Sequence, residues 1–294
     1  MSLLTTRDGT RLYFEDWGTG RPVILLGTAM LSAKMWEHQA PYLAKEGFRC
    51  ITYDRRGSGR SDRPWQGYDY DSLADDLADL LDHLDLTDVA LVGYAVGGGE
   101  AVQYLARYGE QRVSGLVLVA STTPFMMQTQ DNPDGLDIAL FDQLVEVMTA
   151  DRPKWMSELA GTFFAGADPE RAAVSAEFAR WIIDIALDSS PRAAVEIYRT
   201  LITADQRTET AKVSVPTMII HGDADLGAPW PLCGLKTSQL LPDASVHLYP
   251  GAAHGLFATH ADRLNADLQA FLSAGAVLPG RASREDSTVA VQHR

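Results

Sequence analysis

Apolar residues fall along this chain in short, nearly continuous runs: Pro22 to Leu26, Phe48 to Tyr53, Val89 to Val92, Val113 to Val119, Val215 to His221 and Ser245 to Tyr249. Each run predicts a strand, and the continuous run Pro22 to Leu26 predicts one buried on both faces. Between them the apolar positions recur at helical spacing, over about Lys34 to Glu46, Val96 to Tyr108, Pro231 to Leu241 and Ala258 to Leu272. Alternation of the two patterns predicts a mostly parallel sheet with helices on both faces. Ahead of it, LLTTRDGTRLYFEDWG reads as a β-hairpin with Asp8-Gly9 as a two-residue turn.

The alternation stops at about Ser121. From there to Val213 no strand pattern is clear, only helical ones such as LFDQLVEVM, AEFARWIIDIAL and RAAVEIYRTLI. A helical insert between two strands of a parallel sheet predicts a cap over the sheet's C-terminal edge, where such folds place their sites. The expected organisation is an α/β core of residues 1–121 and 214–274, a helical cap of residues 122–213, and a flexible C-terminal tail of residues 275–294. The tail expectation rests on Gly, Pro, Ser and mixed charges. No internal repeat is visible.

Composition narrows this picture. A chain of 294 residues can bury one large α/β core with a smaller lid, and its 46% hydrophobic and 22% charged content is ordinary for a globular protein. The formal charge of −14 argues against nucleic acid and anionic membrane as partners. Much of the acid is concentrated in Asp69, Asp71, Asp75, Asp76, Asp79, Asp82 and Asp85, opposite a stripe of Leu73, Leu77, Leu80, Leu81 and Leu84. That pattern predicts a solvated helix face rather than a metal site. The two cysteines make no disulfide framework: Cys50 reads as a buried strand residue, and Cys233 has no particular partner. The N-terminal stretch lacks a basic-then-apolar signal pattern and no 18-residue apolar run occurs, so the expectation is a cytoplasmic protein. The Gly-rich stretch DRRGSGRSD, residues 54–62, does not order its glycines as a dinucleotide fingerprint.

Chemistry enters at three strand ends. Gly93-Tyr94-Ala95-Val96-Gly97 has the frame G-x-S-x-G of a nucleophile-bearing strand-to-helix turn, with Ala in the place of Ser. HGDADLGAP, residues 221–229, offers Asp223 and Asp225. PGAAHGLFATH, residues 250–260, offers His254. Each alone is weak. Their order (nucleophile, acid, histidine) after successive strands is the order of a hydrolase triad. The seven histidines show no metal-ligand spacing.

These stretches, with ITYDRRGSGRSDRPWQGYDYDSLADDL, LVGYAVGGGEAVQYLARYG, PTMIIHGDADLGAP and GAAHGLFATHADRLNADLQAFL, make residues 3–273 resemble an α/β-hydrolase of the cofactor-free haloperoxidase, aryl esterase and perhydrolase group. The resemblance implies the α/β-hydrolase fold, no cofactor and no metal. It also implies position 95 as nucleophile, Asp225 rather than Asp223 as acid, and His254 as base. The oxyanion hole would be the amides of Ala29, from GTAML, and Val96. Members of the group are often homo-oligomers, and nothing in this sequence identifies an interface.

Two positions depart from the group. Ala95 carries no hydroxyl, and Gly27-Thr28 stands where these hydrolases usually carry His-Gly. Because the glycine frame, Asp225 and His254 all remain, the favoured reading is an ester or lactone hydrolase in a Ser→Ala form. A second reading is a natural nucleophile-less enzyme using His254 and Asp225 as a general base, in cofactor-free lyase or cyclase chemistry. A third is a non-catalytic ligand-binding protein on the same frame. Thr28, Met30, Trp36, Tyr94, Phe125 and Met126 are the expected pocket residues. They suit a small apolar carbonyl substrate, aromatic or alicyclic. Most of the insert's other aromatics read as cap core.

Overall fold

A computed structural model of the chain describes residues 2–168 and 174–274. Eight strands form one sheet in the order β1-β2-β4-β3-β5-β6-β7-β8. β1 (Leu3–Thr5) and β2 (Arg11–Gly18) are antiparallel to each other, and β2 is antiparallel to β4 (Arg49–Tyr53). The pairings from β4 onward, through β3 (Pro22–Leu26), β5 (Val89–Tyr94), β6 (Val113–Val119), β7 (Thr217–Gly222) and β8 (Ser245–Tyr249), are parallel.

The central strands are apolar throughout because both of their faces are covered. Val23, Leu25, Val92 and Val117 point into one core, and Ile24, Leu26, Leu91 and Leu116 into the other. The first core takes Leu43 of helix α1 (Ala40–Lys45); the second takes Leu77 of α2 (Tyr70–His83) and Leu105 of α3 (Val96–Tyr108). Helices α4 (Ile138–Ala150), α5 (Arg152–Ala165), α6 (Ala176–Leu187), α7 (Pro191–Thr203) and α8 (Arg207–Thr210) lie between β6 and β7. After β7 come α9 (Gly234–Leu240), then, beyond β8, α10 (Leu256–Thr259) and α11 (Ala261–Ala274).

Several expectations need correction. The hairpin ladder ends at Thr5↔Arg11, so its turn spans residues 6–10 rather than Asp8-Gly9 alone. Asp8 builds that longer turn by accepting from Thr6 Oγ1 at 2.6 Å and from the Thr10 amide at 3.0 Å. The helix expected over 34–46 is a 3₁₀ turn, Ala33–Trp36, followed by α1, with Pro41 in the first turn of α1, where a missing N–H costs nothing. The last helix breaks at His260 into α10 and α11. Within the insert, Met127↔Leu136 and Thr129↔Asn132 form isolated β-bridges. The expected tail, residues 275–294, lies outside the described residues.

The acidic helix also holds a surprise. Asp71 and Asp82 are exposed, but Asp76 is buried and is not part of a solvated face. Arg56, buried as well, donates to both of its oxygens, at 2.7 and 2.6 Å, and reaches Asp8 at 2.9 Å. Burial pushes the Asp76 carboxyl up to about 6, against the opposing pull of Arg56. Removing one partner strands a buried charge, so Arg56→Met is expected to cost about 3–5 kcal/mol. Urea unfolding of the variant measures this; a loss below about 1 kcal/mol would refute it.

Candidate active site

The sharpest local feature is the junction of β5 and α3. Ala95 sits there with φ 50° and ψ −115°, a region that costs a residue with a Cβ on the order of 1–3 kcal/mol. The turn is held by the Ala95 amide donating to Val119 O at 3.0 Å and the Gly98 amide donating to Ala95 O at 3.0 Å. The flanking glycines are steric requirements. A Cβ on Gly97 would lie 2.4 Å from Leu26 O, and one on Gly93 would lie 2.4 Å from Gly97 O. Gly97→Ala is therefore expected to destabilise the fold by at least about 2 kcal/mol, read as a lowered thermal midpoint; an unchanged midpoint would contradict this close packing.

Asp225 and His254 come together from the loops after β7 and β8. His254 Nδ1 lies 2.7 Å from Asp225 Oδ2, and both residues are buried. The other carboxylate oxygen, Oδ1, accepts from the amides of Gly227 and Ala228, each at 2.8 Å. Asp223 is exposed instead and accepts from the Gly251 amide. The imidazole of His254 is packed edge-on by Phe163 and Tyr94, with ring centroids 5.3 and 5.7 Å away. Tyr94 also donates its hydroxyl to the His254 carbonyl. A carboxylate fixed by two amides and an imidazole fixed by two rings leave one tautomer favoured, with the proton on Nδ1 and Nε2 free to accept.

His221 forms a support beneath them. Its Nε2 lies 2.6 Å from Ala228 O, a contact that requires the proton on Nε2, while Nδ1 is buried without a partner. Burial draws its pKa down and keeps the ring neutral. It thereby pins the loop whose amides hold Asp225.

A cavity of about 240 Å³ lies over Ala95 and His254. Thr28, Ala29, Met30 and Leu31 line one side; Met156, Leu159 and Phe163 of α5, Ile182 and Ala186 of α6, and Tyr198 and Leu201 of α7 line the other. The walls are almost wholly apolar. Among the described residues no group of three or more His, Cys, Asp or Glu side chains could hold a metal ion, and no helix is long and apolar enough to cross a membrane.

The profile of the alpha/beta hydrolase fold family matches residues 21–261. The chain belongs to the α/β-hydrolase family. A non-heme chloroperoxidase, CPO-A1, of Kitasatospora aureofaciens is 35% identical, over 93% of this chain and 100% of that one. The bifunctional esterase/perhydrolase DCH of Acinetobacter calcoaceticus is 34% identical, over 92% of this chain and 99% of that one. A bromoperoxidase from Bacillus anthracis, known from its crystal structure, superposes with a TM-score of 0.88 at 38% identity, over 92% of this chain and 100% of that one.

In this α/β-hydrolase the cavity brings together Thr28, Ala29, Met30, Ala95, Met126 and His254 of the residues singled out in the sequence. Val96 is buried as the first residue of α3. Three expected pocket residues do not line it. Trp36 is buried edge-on to Tyr94 at 5.9 Å, Tyr94 is turned toward the backbone of His254, and Phe125 lies under the guanidinium of Arg207 at 5.0 Å. In their stead stand Phe163, Tyr198 and Leu226, which helical or loop spacing alone could not separate from cap core. The departure at Gly27-Thr28 also has a local setting: a Cβ on Gly27 would lie 3.1 Å from Met35 Sδ, the atom that receives the Thr28 amide at 3.3 Å.

Proposed function

We propose that this α/β-hydrolase site is built for acyl transfer from a small apolar ester or lactone, and that the chain is a Ser→Ala form of such an enzyme. The observation that carries the reading is the assembled pair, His254 Nδ1 at 2.7 Å from Asp225 Oδ2, standing beside a residue held at φ 50° with nothing to present. A hydroxyl on the Cβ of Ala95 would give its proton to His254 Nε2 as it attacks the substrate carbonyl. Asp225 would hold the resulting imidazolium. The amides of Ala29 and Val96 would take the charge developing on the carbonyl oxygen. Collapse of the tetrahedral intermediate would return the proton to the departing alkoxide, and water would then release the acid by the same steps in reverse.

The walls of the cavity argue for the substrate class. Trp155, Phe163, Phe164 and Tyr198 offer ring faces, and Leu159, Ile182 and Leu201 offer aliphatic surface. A volume of about 240 Å³ suits one aromatic or alicyclic ring with short substituents. The test is covalent: a fluorophosphonate should add one adduct to the Ala95→Ser chain by intact mass and none to the unreverted chain. Equal labelling of both, or of neither, would reject the reading. The same intact pair also supports a second reading, with His254 as general base on water or on the substrate in the chain as it stands.

A further inference from the structure

Near the turn between β5 and α3, the elbow that carries Ala95, Glu100 on α3 and Arg55 in the loop after β4 are both buried. Arg55 donates from Nε and Nη2 to a single oxygen of Glu100, Oε2, at 3.1 and 2.7 Å. It also donates to two backbone carbonyls of the loop after β3, from Nη2 to Gly27 O at 2.9 Å and from Nη1 to Thr28 O at 3.2 Å. The second of these contacts has a geometric consequence. Thr28 C=O and Ala29 N–H belong to one planar trans peptide, so they point in opposite directions. Arg55, which holds that carbonyl, does not line the cavity, so the amide of the same peptide points away from Arg55, and Ala29 lines the cavity with Ala95.

The pair is an expensive way to stabilise a core. Glu100 Oε1 is buried with no hydrogen-bond partner, and buried ion pairs recover their desolvation cost only when fully satisfied. Burial pushes the Glu100 carboxyl up, and the two hydrogen bonds from Arg55 both fall on its Oε2. The loop being held is itself strained, with Met30 at φ 65°, a conformation that persists only where the surroundings impose it.

We propose that Arg55, anchored by Glu100, is a positioning residue that aims the Ala29 amide at the developing oxyanion. This rests on the acyl-transfer reading of the same site. Neither side chain touches the cavity. The acyl-transfer machinery would therefore depend on a charge pair tied to the elbow helix at one end and to the oxyanion loop at the other.

The test has two arms. In the chain as it stands, a crystal structure of Arg55→Met should show the 28–29 peptide rotated or split between two orientations, and Glu100→Gln replaces it if that variant does not fold. An unchanged peptide in a folded variant overturns the proposal. In the Ala95→Ser background, Arg55→Met should lower kcat on an aryl ester about 100-fold with KM within threefold. Arg55→Lys should recover part of the loss. A structural role alone would lower the amount of titratable site and leave kcat per site unchanged. If the peptide turns and kcat does not fall, the role of the Ala29 amide in acyl transfer fails instead. If Ala95→Ser hydrolyses nothing, the acyl-transfer reading fails and the crystallographic arm alone decides whether Arg55 orients the loop.

Discussion

Ala95→Ser is expected to raise aryl-ester hydrolysis by roughly 10⁴- to 10⁶-fold over the unreverted chain, the range lost when a triad serine is removed from an enzyme of this mechanism. The size of the effect follows from how little else has to change. The backbone at position 95 already holds the strained conformation that presents a nucleophile, φ 50° and ψ −115°. His254 is already oriented by Asp225, and the side chain at 95 already faces the cavity. One oxygen added to an existing Cβ supplies the nucleophile at the wall of the cavity that His254 also lines. Initial rates on a series of phenyl esters and small lactones, with and without the substitution, measure it. A gain below tenfold would reject the Ser→Ala reading. Turnover by the unreverted chain that is lost in His254→Ala would place the chemistry on the general base instead, and ligand affinity without turnover in either chain would favour a binding protein.

The second large effect belongs to Asp225. In the Ala95→Ser background, Asp225→Asn is expected to lower kcat by about 10⁴ while KM and thermal midpoint move little. The geometry gives the reason. The carboxylate serves two clients: Oδ1 accepts from two amides, and Oδ2 faces His254 Nδ1. An amide at this position has one oxygen, and the two backbone donors would claim it. Its NH₂ group would then face His254 Nδ1 and force that nitrogen to accept. The ring proton would move to Nε2, the atom that has to take a proton from the nucleophile. The shape is conserved and the tautomer is wrong. An Asp225→Asn variant retaining more than a tenth of the activity would show that His254 is oriented by its ring contacts and not by this carboxylate.

Much of the fold is legible in the amino-acid sequence itself. The strands from Pro22–Leu26 to Thr217–Gly222 stand close to where apolar runs placed them, because a strand covered on both faces must be apolar at both parities; Ser245–Tyr249 is a strand too, but at the sheet's edge, where Val246 and Leu248 are exposed. Boundaries set by side-chain hydrogen bonds were not legible. The Asp8 turn rests on Thr6 and Thr10, two residues to either side, and leaves no mark on a hydrophobic period. Asp76 misled for the same reason: on a helix wheel it belongs with its acidic neighbours, and only the approach of Arg56 buries it.

The three strand-end motifs, and their order, are properties of the sequence alone, since the frame G-x-x-x-G and the positions of Asp225 and His254 depend on local turn chemistry that few residues can satisfy. Tertiary structure decided which groups meet. It set Asp225 rather than Asp223 against His254, turned Trp36, Tyr94 and Phe125 away from the cavity, and brought Phe163, Tyr198 and Leu226 to its wall. It also drew Arg55, Glu100 and His221 from three separate elements into the support of two loops. Apart from His221, whose partner Ala228 is 7 positions on, those contacts join residues 27 or more positions apart, and no local pattern encodes a meeting that only the closed sheet brings about.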